Sequence, residues 1–214
     1  MADDIVGDLP TVIRNEDGLY EGDLIHYFKV LFFEAQNVNH PYHNFRHMTH
    51  VLWLCYDACK FYRAVLTPRE IRNILIGALF HDFDHSGLMG HDDLNIERAA
   101  RGFEQHIQLD DEKYGDKIAL LIRGTEFPHF GHPDLSLSIL RDADLAQALS
   151  GAWIQQVVFG LAREWGKTPL EVLKMQPAFS EGIAFKTLWA KERFPPEAIA
   201  AKVSEAKSLL ECLE

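Results

Sequence analysis

One pattern occurs twice in this chain and restricts its fold more than any other. Thr67-Pro68-Arg69-Glu70 and Thr168-Pro169-Leu170-Glu171 each put a threonine before a proline and a glutamate three residues on. Threonine at the N-cap, proline at the first helical position and glutamate at the third form a reciprocal capping box, so both are helix starts. Behind the first lies the most apolar stretch of the chain, Ile74 to Phe80, which with Ile71 reads as a buried helix ending at His81. Leu24, Phe28, Leu31 and Ala35 recur at helical spacing within a helix over 18–37, and Val51, Leu54, Cys55, Ala58 and Tyr62 within one over 44–66. Further helices are predicted over 92–107, 116–123, 135–149, 152–165, from Thr168 onward and over 197–210, separated by short Gly/Pro connectors. No segment alternates with period two and β-branched residues, so no sheet is expected. The fold class is all-α, a compact helical bundle. Its 214 residues suit a single domain, 1–214, with helices over 152–214 completing the bundle.

Composition removes several function classes. The chain carries 32 Asp and Glu against 21 Lys and Arg, a formal net charge of −11, and shows no basic block, so wide contact with nucleic acid is not expected. Met1-Ala2-Asp3-Asp4 is acidic and no apolar run follows, so no signal peptide is read there. Ile74 to Phe80 falls far short of the ~20 residues of a membrane span. Three cysteines, Cys55, Cys59 and Cys212, an odd number without a secretory signal, indicate reduced thiols in the cytoplasm. Ten of the 11 histidines lie between His40 and His132, which places the use of imidazole in the first two thirds of the chain.

Three constellations carry the chemistry. In Tyr42-His43-Asn44-Phe45-Arg46-His47 the two histidines are four apart. If helix begins near Asn44, His43 stands at its mouth and His47 one turn in, so the rings can share a pocket. His81-Asp82-Phe83-Asp84-His85-Ser86-Gly87 follows the apolar helix, and a charged Asp at a buried helix end is costly unless it is paired or binds metal. A buried His–Asp pair without metal is the plainer alternative. Asp142 and Asp144 lie in an apolar stretch two apart, so on a helix they point to different sides, one a ligand and the other on the surface beside Arg141.

His47, His81-Asp82 and Asp144 together resemble the H…HD…D signature of the HD-domain metal-dependent phosphohydrolases, an all-helical family. Tyr42-His43-Asn44-x-x-His47, His81-Asp82-x-Asp84-His85-x-Gly87 and Ala143-Asp144-Leu145 resemble one branch, the class I cyclic nucleotide phosphodiesterases, and Gly124-Thr125-Glu126-Phe127 is a conservative variant of a further segment. The likeness runs from about Pro41 to Leu145, the metal-site core of the domain. It implies two divalent ions. His47, His81, Asp82 and Asp144 would hold the tighter one (Zn, Mn, Fe or Co), and Asp82 would bridge to a second, mostly hydrated one (Mg or Mn). A hydroxide bridging the two would attack phosphorus, His43 would protonate the leaving oxygen, and His85 would orient a ligand or solvent. The partner implied is a small phosphoester, a 3′,5′-cyclic nucleotide above others.

The chain also departs from that branch. It is shorter, and the segment after Asp144 is compressed. Gln176-Pro177-Ala178-Phe179 has the spacing of the Gln and Phe that hold the base there, and Asn95 stands where the branch has an asparagine. Asn95-Ile96-Glu97-Arg98-Ala99 also resembles a segment of small HD phosphohydrolases, so a nucleoside phosphate is the alternative substrate. A di-iron oxygenase on the same scaffold is a third reading and would use His106 and His129 as ligands. His91 and His132 read as loop histidines, and His50 as exposed or behind His47. Cys55 and Cys59 share a helix face as core thiols; Phe28, Phe32, Phe33, Trp53, Phe61 and Tyr62 read as core. Asp110-Asp111-Glu112 reads as a solvated helix start.

Overall fold

The computed structural model describes residues 8–90, 92–128, 131 and 133–213, and no strand occurs among them. The expectations attached to His91, His129, His132 and the first residues fall outside the described residues. The helices in chain order are α1 (Leu9–Arg14), α2 (Ile25–Glu34), α3 (Phe45–Phe61), α4 (Pro68–Phe80), α5 (Asp92–His106), α6 (Gly115–Arg123), α7 (Leu135–Ala146), α8 (Phe159–Glu164), α9 (Pro169–Glu181), α10 (Leu188–Arg193) and α11 (Pro196–Leu213). A 3-10 segment, Leu109–Tyr114, precedes α6, another, Gln147–Leu149, extends α7, and a π-helical turn, Ile154–Val158, leads into α8. No helix of the described residues is long and apolar enough to cross a membrane.

Both capping boxes form. Glu70 N–H donates to Thr67 Oγ1 at 3.2 Å while Thr67 N–H donates to the Glu70 carboxylate at 2.8 Å, and Thr168 and Glu171 repeat the exchange ahead of α9. Every residue of α4 from Ile71 to Phe80 is buried, and α3, α6 and α7 pack around it. A helix buried on all sides is stable only in such a position, and its one buried charge, Arg72, is met by Asp111. A second core, of Trp153, Val157, Leu161, Val172 and Ala206, lies under α8, α9 and α11. The two cores meet where α8 crosses the turn before α3. There a Cβ on Gly160 would stand 2.9 Å from the Pro41 carbonyl oxygen, so only glycine permits the approach.

Several sequence expectations are corrected. The helix over 18–37 begins only at Ile25, because Gly18 and Gly22 adopt left-handed backbone (φ 63° and 66°) in a turn held by the Asn15 side chain. The short α1 and α10, six residues each, are too brief for periodicity to show. Phe32, Phe33 and Phe61 are exposed, not core. Phe32 and Phe33 are consecutive on α2, so both cannot face inward. Phe32 instead packs edge-on against Phe45, with ring centroids 5.5 Å apart.

Asp111 is not solvated but fully buried. It accepts from Arg72 Nε at 2.9 Å and Nη2 at 2.7 Å, from Tyr27 Oη at 2.8 Å and from Arg69. Burial alone would push this carboxyl up; these donors outweigh it and hold it below the ordinary range. Cys55 and Cys59 are buried free thiols, and Cys212 is an exposed one.

Candidate metal centre and active site

Local capping sets the first histidine pair. Asn44 takes extended backbone at the N-cap of α3, and its Oδ1 accepts from His47 N–H at 3.0 Å. His43 therefore stands before the helix and His47 in its first turn, with the rings perpendicular and their centroids 6.0 Å apart. His81 is the C-cap of α4, so Asp82 already lies beyond the helix and both side chains turn toward α3. Asp144 comes from the last turn of α7.

Ligand atoms of His47, His81 and Asp82 lie within 4.8 Å of one another there, and Asp144 approaches both histidines. His47 Nε2 is 2.9 Å from Asp82 Oδ2, 3.2 Å from Asp144 Oδ1 and 3.1 Å from His81 Nε2, which is itself 3.3 Å from Asp82 and 3.8 Å from Asp144. Both histidines are buried. His81 Nδ1 donates to the Ala78 carbonyl at 2.8 Å, and His47 Nδ1 to the side-chain oxygen of Gln147. Fixing the proton on Nδ1 leaves the Nε2 lone pair of each neutral ring pointing at the other ring and at two carboxylates. Lone pairs so crowded repel unless a cation stands among them. Burial pushes His47 down, yet the hydrogen bonds and charges of Asp144 and Asp82 override it and push it up to about 10. The cluster demands positive charge, and a proton is the least cation that supplies it. Two imidazoles and two carboxylates fit a divalent transition ion.

Asp82 also belongs to a second group. Ligand-capable atoms of His43, Asp82 and His85 lie within 4.8 Å of one another. The His43 and His85 rings stack with centroids 3.6 Å apart. His85 is pushed down to about 4, by burial first and by His43 next, so its ring is neutral near pH 7. Gly87 N–H donates to its Nδ1 at 2.9 Å. Asn95 spans from Ser86 N–H, 2.9 Å from its Oδ1, to His85 Nε2, 3.0 Å from its Nδ2. Asn95 thus supports the loop after His81 and the His85 ring.

His43 has a partner that sequence reasoning missed. His43 Nδ1 donates to Glu164 at the end of α8, and the same carboxylate accepts Tyr42 N–H at 2.8 Å and His43 N–H at 3.1 Å. Its side chain is only 3% exposed. Burial pushes Glu164 up, but the bonds and charge of His43 with the two backbone donors bring it down to about 2, so it is a carboxylate at any ordinary pH. Its position, 121 residues from His43, gives no local signal. Gln147, one helical turn beyond Asp144, could have been flagged by that spacing alone.

The remaining expected residues are scattered. Asp142 is buried, not on the surface, because Lys186 N–H at 3.0 Å and the Thr187 N–H and hydroxyl at 2.7 Å supply donors ahead of α10. Arg141 turns away to the Gly124 carbonyl. Gln176 is buried on α9, and its Nε2 donates to the Val172 carbonyl of its own helix at 3.2 Å. Phe179, one turn on, faces Phe127 with ring centroids 6.2 Å apart. Phe127 N–H donates to Asp92 at 2.6 Å. His106 ends α5, its ring 6.1 Å from Phe83, and joins no cluster of ligand-bearing side chains among the described residues.

A family model described as 3′5′-cyclic nucleotide phosphodiesterase matches residues 42–97, which is 56 of the 214 residues. The matched segment contains His43, His47, His81, Asp82, His85 and Asn95, and leaves Asp144 and Glu164 outside it. A comparison with curated proteins found no match. The family likeness supports a metal-dependent phosphodiesterase, a hydrolase of phosphoester bonds, over the segment that carries His47, His81 and Asp82.

Proposed function

We propose that the chain hydrolyses a small phosphodiester, a 3′,5′-cyclic nucleotide in the first instance, at a dinuclear centre built by His47, His81, Asp82 and Asp144. The observation that carries this reading is the pairing of two unlike devices. A four-atom donor set with its lone pairs exposed stands beside His43, a ring whose Nδ1 proton is held by a buried carboxylate. A site that only stored metal would have no use for the second. The family likeness of residues 42–97 supplies the reaction class.

Bound divalent ions would polarise the phosphoryl oxygens and acidify water, which is the chemistry that side chains alone lack. The protein's residues do the rest. Gln147 and the Ala78 carbonyl keep the His47 and His81 rings in the tautomer that presents Nε2. Asp82, common to both donor groups, would reach the second ion. Glu164 orients His43 by accepting its Nδ1 proton, so that the opposite nitrogen, Nε2, can deliver a proton to the departing oxygen. His85, neutral and stacked on His43, would have to release Gly87 N–H or Asn95 to orient solvent. For the base we assign Gln176 and Phe179, with Asn95 supporting the loop. Phe179, facing Phe127, offers the aromatic surface, and Gln176 would have to release Val172 to present its amide. A nucleoside phosphate uses the same centre and differs only in this region.

The test is a panel of phosphoesters on protein of defined metal content: cyclic mono- and dinucleotides, nucleoside phosphates and aryl diesters. Asp82→Ala should lose metal and turnover together, whereas His43→Ala should keep its metal and lose about 10²–10⁴-fold in turnover on a poor leaving group. Full activity of the His43→Ala protein on such a substrate would refute the acid role. Inactivity across the whole panel would refute the phosphodiesterase reading.

A further inference from the structure

The two groups that must act together come from different loops. His43 sits on the irregular turn ahead of α3, and Asp82 just past the end of α4. Helix packing places Cα atoms to within the slack of a turn, whereas proton delivery requires placement within a few tenths of an ångström. One side chain spans the gap. Asn37, three residues after α2 and fully buried, donates through Nδ2 to the His43 carbonyl and to the Asp82 carbonyl, both at 2.8 Å. Its Oδ1 accepts Asp84 N–H at 3.0 Å. The neighbouring Gln36 N–H donates to Asp84 Oδ1 at 2.8 Å, and Asp84 is held in left-handed backbone at φ 59°. Both amide protons of Asn37 are thus spent on the backbone of the residues that carry the chemistry, and its oxygen on the turn that follows Asp82. Only a side-chain amide offers two protons and an acceptor at this length; aspartate keeps the acceptor and loses both donors.

We propose that Asn37 is a positioning residue that fixes the His43 turn against the Asp82 turn, so that the proton on His43 meets the leaving oxygen at phosphorus bound near Asp82. This rests on the reading of His43 as the acid. If Asn37 acts through His43, its loss matters in proportion to how much the leaving group needs a proton. A residue that merely held the fold would weaken all substrates alike.

The experiment uses methyl aryl phosphates graded from 4-nitrophenyl, a good leaving group, to unsubstituted phenyl, a poor one. In Asn37→Asp the ratio of kcat between the two ends should widen about tenfold or more relative to wild type, with bound metal unchanged. The further loss should vanish when Asn37→Asp is introduced into the His43→Ala protein, as for two changes on one pathway. Equal loss across the series, or an undiminished loss in the His43→Ala background, overturns the proposal. If Asn37→Asp fails to fold, Asn37→Ser, which keeps one donor, takes its place. A measurement on the wild-type protein stands apart from turnover and from any variant. The Asn37 side-chain amide protons should exchange slowly with water and show couplings through the hydrogen bonds to the His43 and Asp82 carbonyls. Fast exchange overturns the proposal. Should the wild type cleave no ester while these couplings are present, the phosphodiesterase reading fails and the strut itself survives.

Discussion

Glu164→Gln tests the carboxylate that holds His43, because glutamine keeps one oxygen for the two backbone donors and removes both the negative charge and the acceptor that faces His43 Nδ1. The carboxyl falls from its ordinary 4.5 to about 2 in the folded protein. That fall corresponds to roughly 3 kcal/mol of folding free energy. The His43 side chain is 17% exposed, so water screens part of it, leaving about 2–3 kcal/mol. The sign follows from the depressed value: the contribution is complete above pH 4.5 and is lost as pH falls through 2. Urea unfolding of both proteins, stripped of metal, should therefore show a difference of about 2–3 kcal/mol at pH 7 that shrinks to about 1 kcal/mol at pH 3, with equal m values. Turnover of the metal-loaded variant on a phenyl ester should fall as well, while the metal content stays that of wild type. A stability difference of the same size at both pH values, or one under about 0.5 kcal/mol at pH 7, would refute the argument that a buried carboxylate holds this histidine.

Asp111→Ala leaves Arg72 buried without its carboxylate and should cost about 3–5 kcal/mol in urea unfolding; a cost under about 1 kcal/mol would contradict the buried network. Gly160→Ala drives a Cβ to within 2.9 Å of the Pro41 oxygen. It should push α8 off the His43 turn, costing about 1–3 kcal/mol and lowering turnover, and unchanged stability with unchanged turnover would contradict the close approach. Gln176→Ala should raise KM for a cyclic nucleotide relative to an aryl diester, and equal changes for both would remove Gln176 from base recognition.

What was legible in the sequence was local. Thr67 and Thr168 mark helix starts because cap, proline and glutamate act within one turn of each other, and all-α followed from periodicity that any neighbouring residues reveal. His43 with His47, and His81 with Asp82, were legible because their spacing and the break in helical backbone between them are set by adjacent residues. Direction of burial was not legible. Asp111 looks like a surface acid in an acidic run, and Asp142 like the solvent-facing neighbour of Asp144. Each is buried because donors arrive from elsewhere, Arg72 on α4 for the first and the Lys186–Thr187 backbone for the second. The supports of the candidate site share that cause. Glu164 meets His43 across 121 residues, and Gln147 meets His47 across 100. By itself the sequence determined which side chains could ligate metal and carry a proton, since those are properties of residue type and short spacing. The tertiary structure decided which carboxylates and amides hold them in place, since a buried charge or amide is satisfied by whatever donors the packing brings, and packing joins segments whose separation in sequence has no pattern.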